Sequence, residues 1–407
     1  MNFVKVKDEK LKCALVFLGP FPIGNVSSIR ILSYCKALVE KGCYVKVLLI
    51  APTTEASCNR YTSGIIDGVH YEYMTRVTWK NINTPFFVKI FYYIIGLFKS
   101  VHILIKEDIN CLLSYHDMFI SNVFYFCISR FLRIPFVLDK TEYPENYFDK
   151  SWLNKKVINF SLGLYDGIIT ITEELKSFYS KITKTMYNDV FLLPMTMDLD
   201  RYRGIKKQMV KKKYIAVVFG THNRDGLFES VVTYNMYRKL LKDDEPYNLL
   251  LIGDFEVLCD TFPECKQIIL YIEKEVIQEY VIFTGLVPIN DVPQLLVDAE
   301  CLLTTPLKFV SGGFPTKLGE YLLSGVPVVA TAVGEIEKYL IDGVHILLSD
   351  PNNLEGIANN LLSIHQKKEN YYEMGKSAIE VVKKYFNANV YSYDLIDYLN
   401  KFKKKKC

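Results

Sequence analysis

GGFPTKLGEYLLSGVPVVAT, residues 312–331, sets the grammar from which the rest of the chain can be read. Pro315 suits the first position of a helix, and Gly325 followed by Pro327 suits its end. The helix Thr316–Ser324 then runs straight into a short β-rich strand, Val328–Thr331. The same step recurs upstream. Ile215–Phe219, Asn248–Ile252, Val281–Phe283 and Cys301–Thr304 read as strands. Gly226–Leu241, Cys265–Glu279 and Val292–Ala299 read as the helices between them.

The first half repeats the pattern. Ala14–Leu18 is a short apolar strand, Gly19–Gly24 a loop, and a helical stretch follows to about Glu40, where Gly42 is placed to end it. Val45–Ile50, Cys111–Tyr115, Phe136–Asp139, Gly167–Thr172 and Val190–Leu193 are further strands. Strands separated by helices imply parallel pairing, so the expected fold is α/β with two doubly wound domains. The join falls near Pro194–Lys213, where apolar sequence gives way to a polar, basic stretch. The expected domains are 1–197 and 198–385, with a closing helix and basic tail at 386–407 packed back on the first domain. In open α/β sheets ligands bind at the carboxyl ends of the strands, so two facing sheets predict a two-substrate cleft.

Composition removes several classes of function. Of 407 residues, 49 are basic and 45 acidic, a net charge of +4 that gives no support to nucleic-acid binding. Half the residues are hydrophobic and 14% aromatic, enough for large buried cores. The dense runs Lys211–Lys213 and Lys403–Lys406 read as solvated surface, with attraction to anionic lipid as the sharper reading. Ten cysteines are scattered without metal-ligand spacing, and the start MNFVKVKDEKLKC lacks an apolar signal core. Reduced thiols in a cytoplasmic protein without zinc or disulfides are expected. Phe86–Ile105 is strongly apolar, yet Lys89 and Lys99 bracket an uncharged run of nine residues, too short to span a bilayer. A buried helix of the first domain is expected there, with contact at a membrane interface left open. There is no G-x-G-x-x-G after a strand, no P-loop and no G-x-S-x-G, so ordinary dinucleotide, P-loop and hydrolase chemistry is unsupported.

The start of the 316–324 helix carries the chemistry. Gly312, Gly313 and Phe314 offer no side-chain oxygen to cap it, which leaves the amides of Thr316, Lys317 and Leu318 for an outside partner. An anion is the natural one, since the helix dipole and free N–H groups both favour negative charge. Lys317 and Glu320, three apart, share a helix face: a cation for phosphate, and a carboxylate one turn in for ribose hydroxyls. A Gly-rich loop with an exposed Lys–Glu pair is the plain alternative for these residues taken alone.

The longer run FPTKLGEYLLSGVPVVATAVGEIEKYLIDG, residues 314–343, closely resembles the donor-binding signature of retaining GT-B glycosyltransferases, of the large family numbered four. Glu320 matches the second Glu of that signature, with Gly325, Pro327 and Val328–Thr331 in register and Glu335 and Ile336 in the following turn. Gly312 stands where the family's first Glu contacts the transferred sugar; a P-x-K-x-x-E-Y version of the motif also occurs among relatives. Val217–Gly226, VVFGTHNRDG, is similar to the first strand and loop of the family's donor domain. Thr221 stands where Arg is common, and Gly220 and Arg224 are the residues there expected to face the diphosphate. LLIGD, VIFTGLV and Asp298–Pro306 follow in the family's order, and Gly285 and Leu286 would border the base. Asp166–Thr172 and LPMTMD at 193–198 resemble the usual end of the first domain.

By the same resemblance, Gly312, Gly313, Phe314, Pro315, Thr316, Lys317 and Glu320 form the donor grip. Pro20–Gly24 with Asn25 looks like the family's acceptor-side loop. His116, beside Asp117, is placed to reach the donor sugar and the reacting centre, and is taken with Glu320 as catalytic. Asp139, Glu142 and Glu145, after the next strand, are candidates to meet the acceptor. The resemblance implies transfer of a hexose or N-acetylhexosamine from a nucleoside diphosphate sugar, UDP favoured and GDP allowed, to a hydroxyl of a glycan or lipid-linked glycan. The nucleotide sugar is a co-substrate; no cofactor and no metal are expected, and configuration is retained. A role in bacterial surface polysaccharide synthesis at the cytoplasmic face of the membrane follows by the same analogy. A GT-B nucleotide-sugar 2-epimerase and a non-catalytic GT-B partner subunit are the alternatives.

Overall fold

The computed structural model describes residues 10–53, 59–116, 118–145, 147–184, 186–220, 222–242, 244–308, 312 and 314–403. Asp117, Thr221, Gly313 and Lys404–Lys406, named above, lie outside them. The chain divides into two compact units, Met1–Asp198 with Asn387–Cys407, and Leu199–Phe386.

The first unit runs β1 (Lys12–Phe17), α1 (Val26–Glu40), β2 (Tyr44–Leu49), β3 (Ser63–Ile66), β4 (Val69–Tyr73), α2 (Phe86–Lys106), β5 (Cys111–Ser114), α3 (Phe119–Leu132), β6 (Phe136–Lys140), α4 (Trp152–Leu162), β7 (Gly167–Thr170), α5 (Glu173–Thr183) and β8 (Val190–Leu192). Its eight strands lie in the order β3-β4-β2-β1-β5-β6-β7-β8, all parallel except the β3–β4 hairpin. The inner strands β1, β2, β5, β6 and β7 are buried on both faces, and their alternation sorts side chains into two cores. Cys13, Leu15 and Phe17 point to one core with α1, while Ala14 and Val16 point to the other with α2 and α3.

The second unit runs β9 (Tyr214–Val218), α6 (Leu227–Leu241), β10 (Asn248–Ile252), α7 (Phe255–Thr261), α8 (Gln267–Lys274), β11 (Val281–Phe283), α9 (Val292–Asp298), β12 (Cys301–Thr304), α10 (Thr316–Ser324), β13 (Val328–Thr331), α11 (Ile336–Tyr339), β14 (Leu347–Ser349), α12 (Leu354–Gln366) and α13 (Tyr372–Val381). A short 3₁₀ turn, Leu199–Tyr202, precedes β9. The six strands are parallel in the order β11-β10-β9-β12-β13-β14. The last helix, α14 (Ala388–Lys401), belongs to the first unit: Leu395 and Leu399 are buried in its α1-side core.

Two sequence expectations need correction. The single helix read over Cys265–Glu279 is a 3₁₀ turn, Pro263–Lys266, followed by the shorter α8. The helix α2, expected to be buried, covers only Gly96, Leu97, Ser100, Ile103 and Leu104 and leaves its other face in solvent.

Candidate functional site

The second sheet has one topological switch point. From β9 the chain moves outward to β10 and β11, then returns to β12 on the other side of β9. The loops leaving β9 and β12 therefore diverge at their carboxyl ends, where a crevice opens in such sheets. Gly226 closes the first loop with φ 69°, and a Cβ on it would lie 1.9 Å from the Thr305 carbonyl oxygen of the second. The Thr305 hydroxyl donates to the Gly226 carbonyl at 2.7 Å. Helix α10 is fastened to the same place by Tyr321, fully buried, whose hydroxyl accepts from the Val218 amide at 2.6 Å. Its N-terminus therefore opens at the switch point.

That N-terminus has no side-chain cap, as the glycines and phenylalanine before it dictate. Two details differ from the sequence reading. Pro315 is the N-cap residue and Thr316 the first helical one. The Leu318 amide, expected to face outward, bonds to the Pro315 carbonyl at 3.0 Å. Thr316 and Lys317 keep their amides as the helix's anion donors among the described residues.

Around these amides the structure gathers residues from the loop after β9. The Lys317 ammonium pairs with the Asp225 carboxylate, and the same carboxylate oxygen accepts from the Gly220 amide at 2.8 Å. A Cβ on Gly220 would lie 3.5 Å from the Lys317 Nζ, so the expected Gly220 and Lys317 do meet. Burial pulls the Lys317 pKa below its ordinary value, the nearby Arg224 adds to the fall, and Asp225 only partly offsets them. An arriving phosphate would relieve that deficit. Arg224 itself is exposed on the loop.

Glu320, one turn further in, is held by two residues that the sequence reading passed over as linker. The Tyr202 hydroxyl donates to Glu320 Oε2 at 2.8 Å, and Arg201 Nε lies 3.3 Å from Oε1. Arg201 also donates to the Ile289 carbonyl at 3.0 Å, joining Glu320 to the loop that carries Gly285 and Leu286. Burial and the adjacent carboxylate push the Tyr202 pKa well up, so the hydroxyl stays a donor. No local signal in Leu199–Tyr202 announces this clasp.

Other expected donor residues divide. Gly285 takes φ 68°, has open space around its Cβ position, and Leu286 beside it is 74% exposed. Gly312 takes φ 69°. Phe314, expected to touch the donor, is instead 3% exposed and packs on Tyr339 and Phe386, with the Phe386 ring centroid 5.1 Å away. Its side chain braces the helix start from within the core.

The first sheet has its own switch point, between β1 and β5. His116 sits just after β5, stacked on Phe17 at 5.4 Å with the rings 6° from parallel. Its Nε2 accepts from the Leu18 amide, so the neutral ring carries its proton on Nδ1. Asn25 is the N-cap of α1, its side chain accepting from the Ser28 amide at 3.3 Å. Gly24 is required by packing: a Cβ there would lie 2.5 Å from the Pro20 ring. The Glu142 carbonyl accepts from the Tyr179 hydroxyl at 2.7 Å. Asp139 cannot serve an acceptor, because it is 1% exposed and forms a buried ion pair with Arg30 at 3.1 Å. That pair is completed by the Pro194 and Leu193 carbonyls, which take two more of the guanidinium protons.

The model of the family described as Glycosyl transferases group 1 matches residues 210–381, within the second unit. No curated protein matches the chain. Among solved structures, sucrose-phosphate synthase from Thermosynechococcus elongatus aligns over 96% of this chain and 99% of its own, with TM-score 0.72 and 14% identity. HepE from Anabaena, in complex with UDP and glucose, aligns over 96% and 100%, with TM-score 0.68 and 15% identity. A glycosyltransferase from Rickettsia africae ESF-5 aligns over 98% and 100%, with TM-score 0.68 and 13% identity. At these identities the likeness speaks for the fold, and the family match for the second unit. The chain has the GT-B fold of two Rossmann-like units, and its residues 210–381 match the glycosyl transferases group 1 model.

Proposed function

We propose that the chain is a retaining glycosyltransferase that moves a hexose or N-acetylhexosamine from a nucleoside diphosphate sugar to a hydroxyl of a glycan or lipid-linked glycan. The observation that carries the reading is the uncapped start of α10 at the switch point, with Lys317 and Gly220 beside it, inside the family-matched segment. UDP is the favoured carrier, in keeping with the UDP held by HepE. Work at the cytoplasmic face, building bacterial surface polysaccharide, is part of the same proposal.

In the reaction the bond from the anomeric carbon to the diphosphate oxygen breaks, and the acceptor oxygen bonds to that carbon on the same face. The acceptor's proton passes to the leaving phosphate oxygen. Charge grows on the diphosphate, where the Thr316 and Lys317 amides, the Lys317 ammonium and Arg224 stand preorganised to receive it. No metal is needed for that charge. Glu320, oriented by Tyr202 and Arg201, takes ribose hydroxyls.

The test is calorimetric titration with UDP. Lys317→Ala and Glu320→Ala should each weaken binding about tenfold to a hundredfold, the range for a charged hydrogen bond, while the folded circular dichroism spectrum persists. Wild-type affinity in both variants would sink the assignment. Gly312 favours a second reading, a non-catalytic GT-B subunit, because its left-handed φ of 69° disfavours the carboxylate-bearing residue usual there. Tight UDP binding with no hydrolysis or transfer of any nucleotide sugar would support that reading.

A further inference from the structure

The first unit presents an apolar face that is exposed among its described residues. On α2, Phe86, Phe87, Phe91 and Phe98 are 61–77% exposed, repeating along one side of the helix. On α3, Phe131 is 80% exposed, and on α4 Trp152 and Leu153 are about two-thirds exposed. The three helices are neighbours: Phe98 of α2 meets Phe124 of α3 at 5.7 Å, and Asn122 of α3 donates to Ser161 of α4 at 2.8 Å. Patches of this kind mark a docking surface.

Charge says what docks. The sequences of α2, α3 and α4 contain no Asp or Glu, while they carry Lys89, Lys99, Lys106, Lys155 and Lys156, besides Arg130, which pairs with Asp166. A second copy meeting this face would set like charges against each other. An anionic surface is complemented, and the aromatic-plus-lysine pattern is that of helices that lie in a membrane interface. Lys156 holds its ammonium 3.7 Å above the Trp152 ring, one amphipathic pair on the rim of the face.

Length and composition alone would let α2, with its 21 largely apolar residues, cross a bilayer. Its packing forbids this. Gly96 lies so close to the end of β2 that a Cβ would fall 1.7 Å from the Ile50 carbonyl oxygen. Ser100 is locked to Tyr125 of α3, hydroxyl to hydroxyl at 2.8 Å. Leu97, Ile103 and Leu104 complete the buried stripe of the same helix. The helix cannot leave the sheet without undoing that core.

We infer that the outer faces of α2, α3 and α4 seat the first unit in the headgroup layer of an anionic bilayer, with α2 lying in the membrane plane. The inference stands apart from the transfer reaction, because its test reads lipid and nucleotide separately. Full-length protein is sedimented with vesicles of phosphatidylcholine alone or mixed with phosphatidylglycerol. Wild type should pellet with the mixed vesicles and far less with phosphatidylcholine. Phe87→Ser with Phe91→Ser should cut partitioning about tenfold or more on both, through the lost apolar area. Lys99→Ala and Lys156→Ala should each cut it about fivefold on the mixed vesicles only, an effect that added salt removes. UDP affinity should stay at wild-type level in all of them. A wild type left in the supernatant, or variants that bind vesicles as well as wild type, would overturn the inference. So would a dimer in light scattering that the double Phe variant dissociates, since the face would then join two copies.

Discussion

At the residue scale the proposed donor site turns on one carboxylate and what holds it. Glu320 receives the Tyr202 hydroxyl on one oxygen and faces Arg201 with the other, and both partners come from the turn before β9. Tyr202→Phe removes a donor and leaves a largely buried carboxylate oxygen short of a partner, a loss of about 1–3 kcal/mol in the stability of the second unit. We expect UDP affinity to fall several-fold with it, because the carboxylate is no longer oriented. The loss should vanish for a nucleotide lacking both ribose hydroxyls; an equal loss there would mean that Tyr202 supports only the fold. The same residues show what could be read beforehand. Lys317 and Glu320 were legible because a helix start and a three-residue spacing are local signals. Tyr202 was not, since it meets Glu320 across 118 residues of sequence, and Asp225 meets Lys317 across 92. Phe314 misled for the same reason: its neighbours Tyr339 and Phe386 are distant in the chain, and they make it core.

Elements place these residues through a few close approaches. Gly226 ends the loop that presents Gly220 and Asp225, in a left-handed conformation with no room for a side chain. Gly226→Ala should cost about 2–4 kcal/mol from backbone strain and the clash with Thr305, read by denaturant unfolding, and should weaken UDP binding as the loop shifts. Gly220→Ala, with 3.5 Å to its nearest neighbour, should leave stability nearly unchanged. In the first unit, Glu107 at the end of α2 accepts from Lys46 and Tyr44 of β2, each at 2.7 Å. Burial alone would raise its pKa, but the hydrogen bonds from Lys46 and Tyr44 outweigh it and leave the value below that of an ordinary glutamate. A lowered folded pKa gives stability that is present above the unfolded value, about 4.3, and lost as pH falls through the folded one. Glu107→Gln should therefore shrink the drop in melting temperature between about pH 6 and about pH 3. The parallel strands were legible as short apolar runs. The β3–β4 hairpin was overlooked although Asp67-Gly68, with φ 47° and 80°, is the turn dipeptide that joins such strands. The exposed face of α2 was hidden because it carries phenylalanines where a soluble helix would turn polar residues outward.

For the molecule as a whole, the chain's last helix decides which unit depends on which part of the sequence. After Phe386 the backbone returns to the first unit, and α14 lies along α1 with Leu395, Tyr398 and Leu399 buried. The Tyr398 hydroxyl accepts from the Ile168 amide at 2.8 Å and donates to the Asp189 carbonyl at 2.9 Å, clasping β7 to the start of β8. Lys401 pairs with Asp189 at the same place. A chain ending at Phe386 loses about 2 kcal/mol for each of the three buried side chains, before the lost hydrogen bonds are counted. That is comparable to the whole stability of many domains, so the first unit should melt far below the second or fail to fold. The proposed UDP grip should survive, since Gly220, Arg224, Lys317, Glu320 and their clasp all lie between Leu199 and Phe386. Calorimetry of the truncated chain should then show one transition moved down or lost and one that still rises with added UDP, as ligand linkage requires. Loss of UDP binding on truncation would mean that the first unit holds part of the nucleotide grip, and the site drawn around α10 would have to be enlarged.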